Sequence, residues 1–232
     1  ALPCSAFRAG YRYQLSNPFR DGVGTLIDRS EQVTLSGNTY RFLHGLGIAA
    51  QLSRDVSVLD CDFSPDAARG VTTCAAADMI HACMCMGQVE VRRCRFDGAR
   101  DDAVNVHGVH FRVVRAEGNE IDVRFCHRET FGFLAFDGGD EIEFVRPASL
   151  AKAGEARVSG ARMLDVRTAR LTLERPVPAR MRGLAVENVT KTCGVTIDEI
   201  DCRHIPTRGV LVTTRGKVVV QNSRFQALPM AN

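Results

Sequence analysis

The sequence has no tryptophan and only three tyrosines among 232 residues. It therefore offers few aromatic platforms on which a flat ligand could stack. No two cysteines stand at C-x-x-C spacing, which weakens a zinc-knuckle reading. No Gly-x-Ser-x-Gly segment occurs and no cysteine stands out beside a histidine, so a nucleophilic triad is not indicated. No apolar run approaches the ~20 residues that a membrane-spanning helix needs. The net charge is only +3 and the basic residues are scattered, so no stripe argues for nucleic acid. There is no signal peptide, and the chain opens on Ala1 rather than methionine. That predicts a mature chain or a piece of a longer one.

What is present is ordinary globular material, 45% hydrophobic and 25% charged. The nine cysteines are an odd number. His81, Cys83 and Cys85 in "HACMC" could be metal ligands. Their period of two instead predicts three residues on one face of a strand, with the cysteines as small buried apolar groups.

Four segments resemble one another: "VTLSGNTY" (33–40), "VSVLDCDF" (56–63), "VEVRRCRF" (89–96) and "VVVQNSRF" (218–225). "VTIDEIDC" (195–202) is a looser fifth copy. Each is apolar at its first and third positions, and the four close copies are small or polar at the sixth and aromatic at the eighth. The inward parity changes between the third and sixth positions, which predicts two short strands separated by a corner. The first and last pairs of starts are 23 residues apart. A fixed interval of this length predicts an all-β solenoid, a right-handed parallel β-helix whose stacked coils bury a shared core. A β-sandwich is the alternative, but it needs no fixed interval. Asn38, Cys61, Cys94 and Ser223 are expected to stack as an interior column, as are Tyr40, Phe63, Phe96 and Phe225.

Between the third and fourth copies the texture changes. "FRVVRAEGNEIDVRF", "DEIEFV" and "ARLTLERPV" alternate apolar and polar residues and are broken by Gly, Asn and Pro. They predict antiparallel hairpins, while "PASLAKAGEA" (147–156) reads as a loop or short helical turn. The expected organisation is β-helix coils over 1–108, an inserted antiparallel β-barrel-like module over 109–190, and coils resumed over 191–232.

Counting along the repeat places the candidate chemistry. Asp102 lies 13 residues after Val89, Arg208 lies 13 after Val195 and Leu46 lies 13 after Val33. Aligning "DMIHAC" with "DAVNVH" puts Asp78 at the same place. Asp78, Asp102 and Arg208 should form a column on successive coils ~4.8 Å apart, with Asp101 beside it. Such a like-charge cluster should raise at least one carboxyl pKa. One group can then act as acid and another as base. A solvated acidic edge or a calcium site are the alternatives, and Arg208 in the column argues against calcium. Paired carboxylates across an acetal are the equipment of glycosidases, and a solenoid offers a long open face to a sugar chain.

Three stretches carry a resemblance: "ADMIHACMCMGQVEVRRCRFDGARDDAVNVHG" (77–108), "FCHRETFGFLAFDGGDEIEF" (125–144) and "KTCGVTIDEIDCRHIPTRGVLVTTRGKVVVQNSRF" (191–225). Together they resemble the glycoside hydrolase family 110 exo-α-1,3-galactosidases. The "HACMCMG" stretch is richer in Cys and Met than that family would suggest. The resemblance implies a secreted or periplasmic β-helix enzyme with an inserted β-barrel. It implies removal of terminal α-1,3-linked galactose from a glycan, of blood-group B or linear α-Gal type, with inversion and without a metal or other cofactor. It assigns the essential aspartates to Asp78, Asp101 and Asp102, with Asp101 as acid and Asp78 and Asp102 on the base side. It also implies further coils after "VVVQNSRF". Residues 191–232 are thus expected to be incomplete, with "QALPMAN" too short to cap an open edge that favours self-association into a homo-oligomer.

If the valines of "DAVNVHG" point inward, Asn105 and His107 point outward beside the aspartates, as does His81. These three are candidate sugar contacts. His127, with Arg128, is expected to reach over the site from the inserted module. Arg208 either pairs with Asp102 or binds a hydroxyl. Two other readings compete: a polygalacturonase-like hydrolase, disfavoured by an acidic rather than basic cleft, and a non-catalytic carbohydrate-binding solenoid, which needs no aspartate cluster and should show exposed aromatics.

Overall fold

The computed structural model describes residues 7–11, 13 and 22–226. Cys4 and the "QALPMAN" segment from Ala227 onward lie outside the described residues. The chain begins with three strand triplets: β1 (Val23–Asp28), β2 (Glu31–Ser36) and β3 (Thr39–Tyr40); β4 (Leu46–Gln51), β5 (Arg54–Leu59) and β6 (Asp62–Phe63); β7 (Ile80–Cys83), β8 (Met86–Arg92) and β9 (Arg95–Asp97). Then follow β10 (Val104–His107), β11 (His110–Glu117), β12 (Glu120–Phe125), β13 (Glu141–Val145), β14 (Lys152–Asp165), β15 (Thr168–Leu173) and β16 (Ala185–Asn188). The chain closes with β17 (Cys193–Asp198), β18 (Asp201–Arg203), β19 (Val210–Thr213), β20 (Val218–Gln221) and β21 (Arg224–Gln226).

The fold is all-β. Three five-stranded parallel sheets run in the orders β1-β4-β7-β10-β19, β2-β5-β8-β17-β20 and β21-β18-β9-β6-β3. Strands β11 to β16 close an antiparallel barrel. The starts of the similar segments pair in register: Val33 with Val56, Val56 with Val89, Val89 with Val195 and Val195 with Val218. Their fifth positions, Gly37, Asp60, Arg93, Glu199 and Asn222, all have φ between 49° and 69°. A left-handed residue at each corner turns the chain from one sheet to the next, which is why the inward parity switches. Arg29, Leu52 and Met84 do the same one corner earlier in the first three triplets.

Between the sheets lies an apolar core of Ile48, Val56, Phe63, Ile80, Phe96, Val104, Val195 and Ile197 among others. Tyr40 stacks on Phe63 at 4.5 Å between ring centroids, and Phe63 on Phe96 at 5.0 Å. Backbone bonds from Asp62 to Asn38, from Arg95 to Cys61 and from Asp201 to Cys94 carry the neighbouring column from strand to strand. Cys61 and Cys94 are buried in it, whereas Asn38, in the first triplet, is exposed. Phe225 is likewise 39% exposed in the last triplet. Two expectations are corrected. Cys85 does not share a face with His81 and Cys83, because left-handed Met84 turns it into the sheet core. Only 147–150 of "PASLAKAGEA" turns, since Lys152 opens the 14-residue strand β14.

The barrel has its own apolar interior, including Phe111, Ile121, Phe136, Phe144 and Leu171, and Leu52, Cys83 and Met84 of the sheets pack into the same cluster. Buried Lys191 adds a polar clasp, its Nζ donating to Asp137 and Asp140 at 2.6 and 2.9 Å. The barrel is therefore fixed over the sheet that carries β7 and β10. The eight cysteines among the described residues are free thiols, all buried except Cys126. Phe96→Ala should lower stability by ~3–5 kcal/mol through the cavity it opens. Urea unfolding measures this, and a loss under ~1 kcal/mol would contradict the stacked aromatic column.

Candidate active site

Strands β7, β10 and β19 lie side by side with Ile80, Val104 and Val210 in register. Their inward side chains anchor the core, so the residues just before each strand fall into line. Asp78, Asp102 and Arg208 occupy that line. A carboxylate oxygen of each of Asp78, Asp101 and Asp102 lies within 4.8 Å of the others.

Asp102 is 1% exposed. Arg208 closes on it as a fork, Nε donating to Oδ1 at 2.9 Å and an Nη to Oδ2 at 3.0 Å, while the Arg208 amide adds a third bond at 3.1 Å. A buried carboxylate needs such compensation, and the bidentate guanidinium supplies charge and direction together. Hydrogen bonding to Asp102 holds Arg208 above its usual range.

Asp78 is buried without an arginine. Its Oδ1 accepts from the Asp102 amide at 3.1 Å, and its Oδ2 accepts from His81 Nδ1 at 2.8 Å and from Asn105 Nδ2 at 3.0 Å. Burial pushes this carboxyl up, but the His81 hydrogen bond and charge, with the bonds from Asn105 and the Asp102 amide, leave it below its ordinary value. Crowding by the neighbouring carboxylates thus does not raise Asp78. The reason is a ring of donors that stabilises the ionised form. Asn105 Oδ1 is buried with no protein donor among the described residues. Asp101 is half-buried at the same wall.

His107 pairs across the strand with Cys83, next to His81 paired with Asn105. The Nε2 atoms of His81 and His107 stand 3.1 Å apart. Burial, with the neighbouring His81 charge, pushes the His107 imidazole down. Burial pushes the Cys83 thiol up to about 12.

The barrel supplies the opposite wall. His127 Nδ1 accepts from the amides of Glu129 and Thr130, folding residues 127–131 into a tight loop. Arg167, between β14 and β15, donates to the carbonyls of His127 and Arg128 and lies 3.7 Å over the Phe131 ring. Together the walls enclose a cavity of about 900 Å³, lined by Asp78, His81, Asp101, Asp102, Asn105, His107, His127, Arg128 and Arg208. Every residue singled out in the sequence for this site meets here. Leu46, which the count from Val33 put on the same line, also lines it, and sequence reading missed Phe131, Arg167 and Leu211. Leu211 was within reach, since it pairs with Asn105 in register. Arg167 carries no periodic signal and arrives only through barrel pairing of Arg124 with Thr168.

Comparison with known proteins agrees with this architecture. Residues 120–183 match the family described as GLAA-B beta-barrel domain II. The chain is 35% identical over 223 residues to alpha-1,3-galactosidase A of Bacteroides thetaiotaomicron, covering 94% of this chain and 39% of that protein. It is 37% identical over 225 residues to alpha-1,3-galactosidase A of Akkermansia muciniphila, covering 96% and 38%. Alpha-1,3-galactosidase B of Phocaeicola vulgatus is 27% identical over 221 residues, covering 89% and 36%. The chain thus spans less than two fifths of the length of these curated relatives.

Because the folded Asp78 carboxyl sits below its unfolded value, its stabilising contribution is present above the unfolded pKa of ~3.9 and is lost as pH falls through the folded value. Asp78→Asn cannot titrate. In urea unfolding, wild type should gain on this variant from pH ~3 to ~5 and level off above. A difference that stays constant across that range would contradict an ionised Asp78.

Proposed function

The chain belongs to the alpha-1,3-galactosidase family, and on that premise we propose that its cleft is the galactosyl site of a glycoside hydrolase. The enzyme of which this chain forms part removes terminal α-1,3-linked galactose from oligosaccharides, of blood-group B or linear α-Gal type. The observation that carries this reading is the trio of carboxylates within 4.8 Å of one another on the wall of a cavity large enough for a sugar. A cavity in the ~300–1,000 Å³ class holds a small ligand.

The roles are those that family resemblance assigns, and the environments suit them. Asp78, held ionised by donors, accepts the proton of the attacking water, and Asp102, locked by Arg208, helps hold that water. Half-buried Asp101 protonates the leaving glycosidic oxygen. Asn105, His107 and His127 hold hydroxyls, with Asn105 Oδ1 waiting for a donor. No metal or other cofactor is required for these steps. The relatives support this course through their printed names, and family resemblance supports inversion. A retaining course is a second reading, favoured by the close approach of the carboxylates. Inverting pairs usually stand ~6.5–9.5 Å apart and retaining pairs ~5–5.5 Å.

We further read the three parallel sheets as the faces of a right-handed parallel β-helix. Residues 1–108 and 191–232 supply its coils, and 109–190 form an inserted module. The recurring strand triplets and the known hand of parallel crossovers support this. Family resemblance supports a secreted or periplasmic location and leaves self-association open to measurement by light scattering.

Galactose release from a panel of α-galactosyl oligosaccharides tests the function, on this chain and on a longer form of the protein. Asp101→Asn and Asp78→Asn should each lower turnover ~10²–10⁴-fold, the usual contribution of positioned proton transfer. Proton NMR of the first-formed sugar should show β-galactose. Near-normal turnover in either variant would refute the roles, and initial α-galactose would establish the retaining course.

A further inference from the structure

The two histidines of the cleft are arranged in a way that sugar binding does not explain. The Asp78 carboxylate only accepts hydrogen bonds, so His81 Nδ1, 2.8 Å from it, carries the proton. The Gly108 carbonyl only accepts, so His107 Nδ1, 2.7 Å from it, carries the proton as well. In their neutral forms both rings then present a bare Nε2. Yet these two nitrogens face each other at 3.1 Å, with the rings at 78°. When His81 is charged, as beside Asp78, its Nε2–H donates across this gap to His107; a metal cation can take that proton's place between the two rings.

Cys83 supplies a third donor. It lies on the same face of β7 as His81 and directly beside His107 on β10. Its Sγ and one ring nitrogen of each histidine are all within 4.8 Å of one another. The outer contacts are those that metal-binding histidines make, one ring backed by a carboxylate and the other by a backbone carbonyl, which fixes tautomer and orientation. Two Zn–N bonds of ~2.0–2.1 Å together exceed the 3.1 Å gap, so an ion fits between the rings and off their line. Two imidazoles and a thiolate suit a borderline cation of the zinc class rather than calcium or magnesium.

We propose that His81, His107 and Cys83 bind one divalent cation of the zinc class, and that filling this site shuts the cleft. Cys83 binds as the thiolate, so its proton leaves to solvent as the ion enters. The ion takes His107 away from the cavity and fixes His81 at the wall, so the sugar loses its contacts to both rings. The inhibitory half of the proposal rests on the galactosidase reading above, whereas the binding half does not.

Zinc is added first to the unmodified chain without sugar. Calorimetry should give one ion per chain. X-ray absorption at the zinc edge should give nitrogen neighbours at ~2.0–2.1 Å and one sulfur at ~2.3 Å. Cobalt in place of zinc should give a thiolate charge-transfer band that Cys83→Ala removes and Cys126→Ala keeps. Asp78→Asn should weaken zinc binding ~10–100-fold, as loss of a carboxylate behind a ligating histidine does. Galactose release should then fall with the same half-saturating zinc as the calorimetry. A zinc shell without sulfur, or a cobalt band lost with Cys126 instead of Cys83, would overturn the site. Zinc bound in this shell with undiminished turnover would overturn the inhibition alone. Zinc bound in this shell by a longer form of the protein that releases no galactose even when free of zinc would leave the cation site standing and remove the galactosidase reading.

Discussion

The in-register stacking of Ile80, Val104 and Val210 on three neighbouring parallel strands governs the chemistry of this protein. Their side chains face the core, so a shift of one residue in any strand would turn an inward valine out and an outward polar group in. The same register aligns the residues that precede each strand. Asp78, Asp102 and Arg208 are therefore adjacent because of apolar packing behind them. The charges themselves would not hold that arrangement, since two of the three repel.

Each carboxylate is then stabilised differently. Asp102 is buried and answered by the fork of Arg208, which supplies the opposite charge. Asp78 is buried and answered by a backbone amide, an imidazole and an amide side chain. Asp101 keeps partial access to the cavity. Environments this different allow three chemically equal groups to take unequal roles. The barrel completes the site by covering it: its apolar interior takes in Cys83 and Met84, and its loop at 127–131, held by Arg167, closes the far wall.

Much of this was legible in the sequence, for a physical reason. A repeat whose copies pair in register turns sequence distance into spatial alignment, so counting from Val89 and Val195 was enough to bring Asp102 beside Arg208. The outward parity of His81, Asn105 and His107 followed from the same alternation. What stayed hidden depends on contacts without a period. The lowered Asp78 carboxyl required knowing that His81 and Asn105 donate to it rather than stand beside it. The face of Cys85 depended on a left-handed corner at Met84, and nothing in "HACMC" marks that corner. Strand β14 was overlooked because "KAGEARVSGARMLD" is rich in glycine and alanine and alternates weakly. Arg167 reaches the cleft through antiparallel pairing within the barrel, where sequence distance carries no fixed meaning.

The central claim is that the cleft between the acidic column and the barrel loop receives a galactosyl unit. The six histidines make this directly observable, because His81, His107 and His127 line that cleft while His204 pairs with Asp97 elsewhere. NMR of the imidazole resonances during titration with galactose is the most direct measurement. The account predicts that the His107 and His127 signals move together along one saturable curve while His204 stays fixed. Saturable galactose binding that leaves all three cleft histidines unmoved would contradict it.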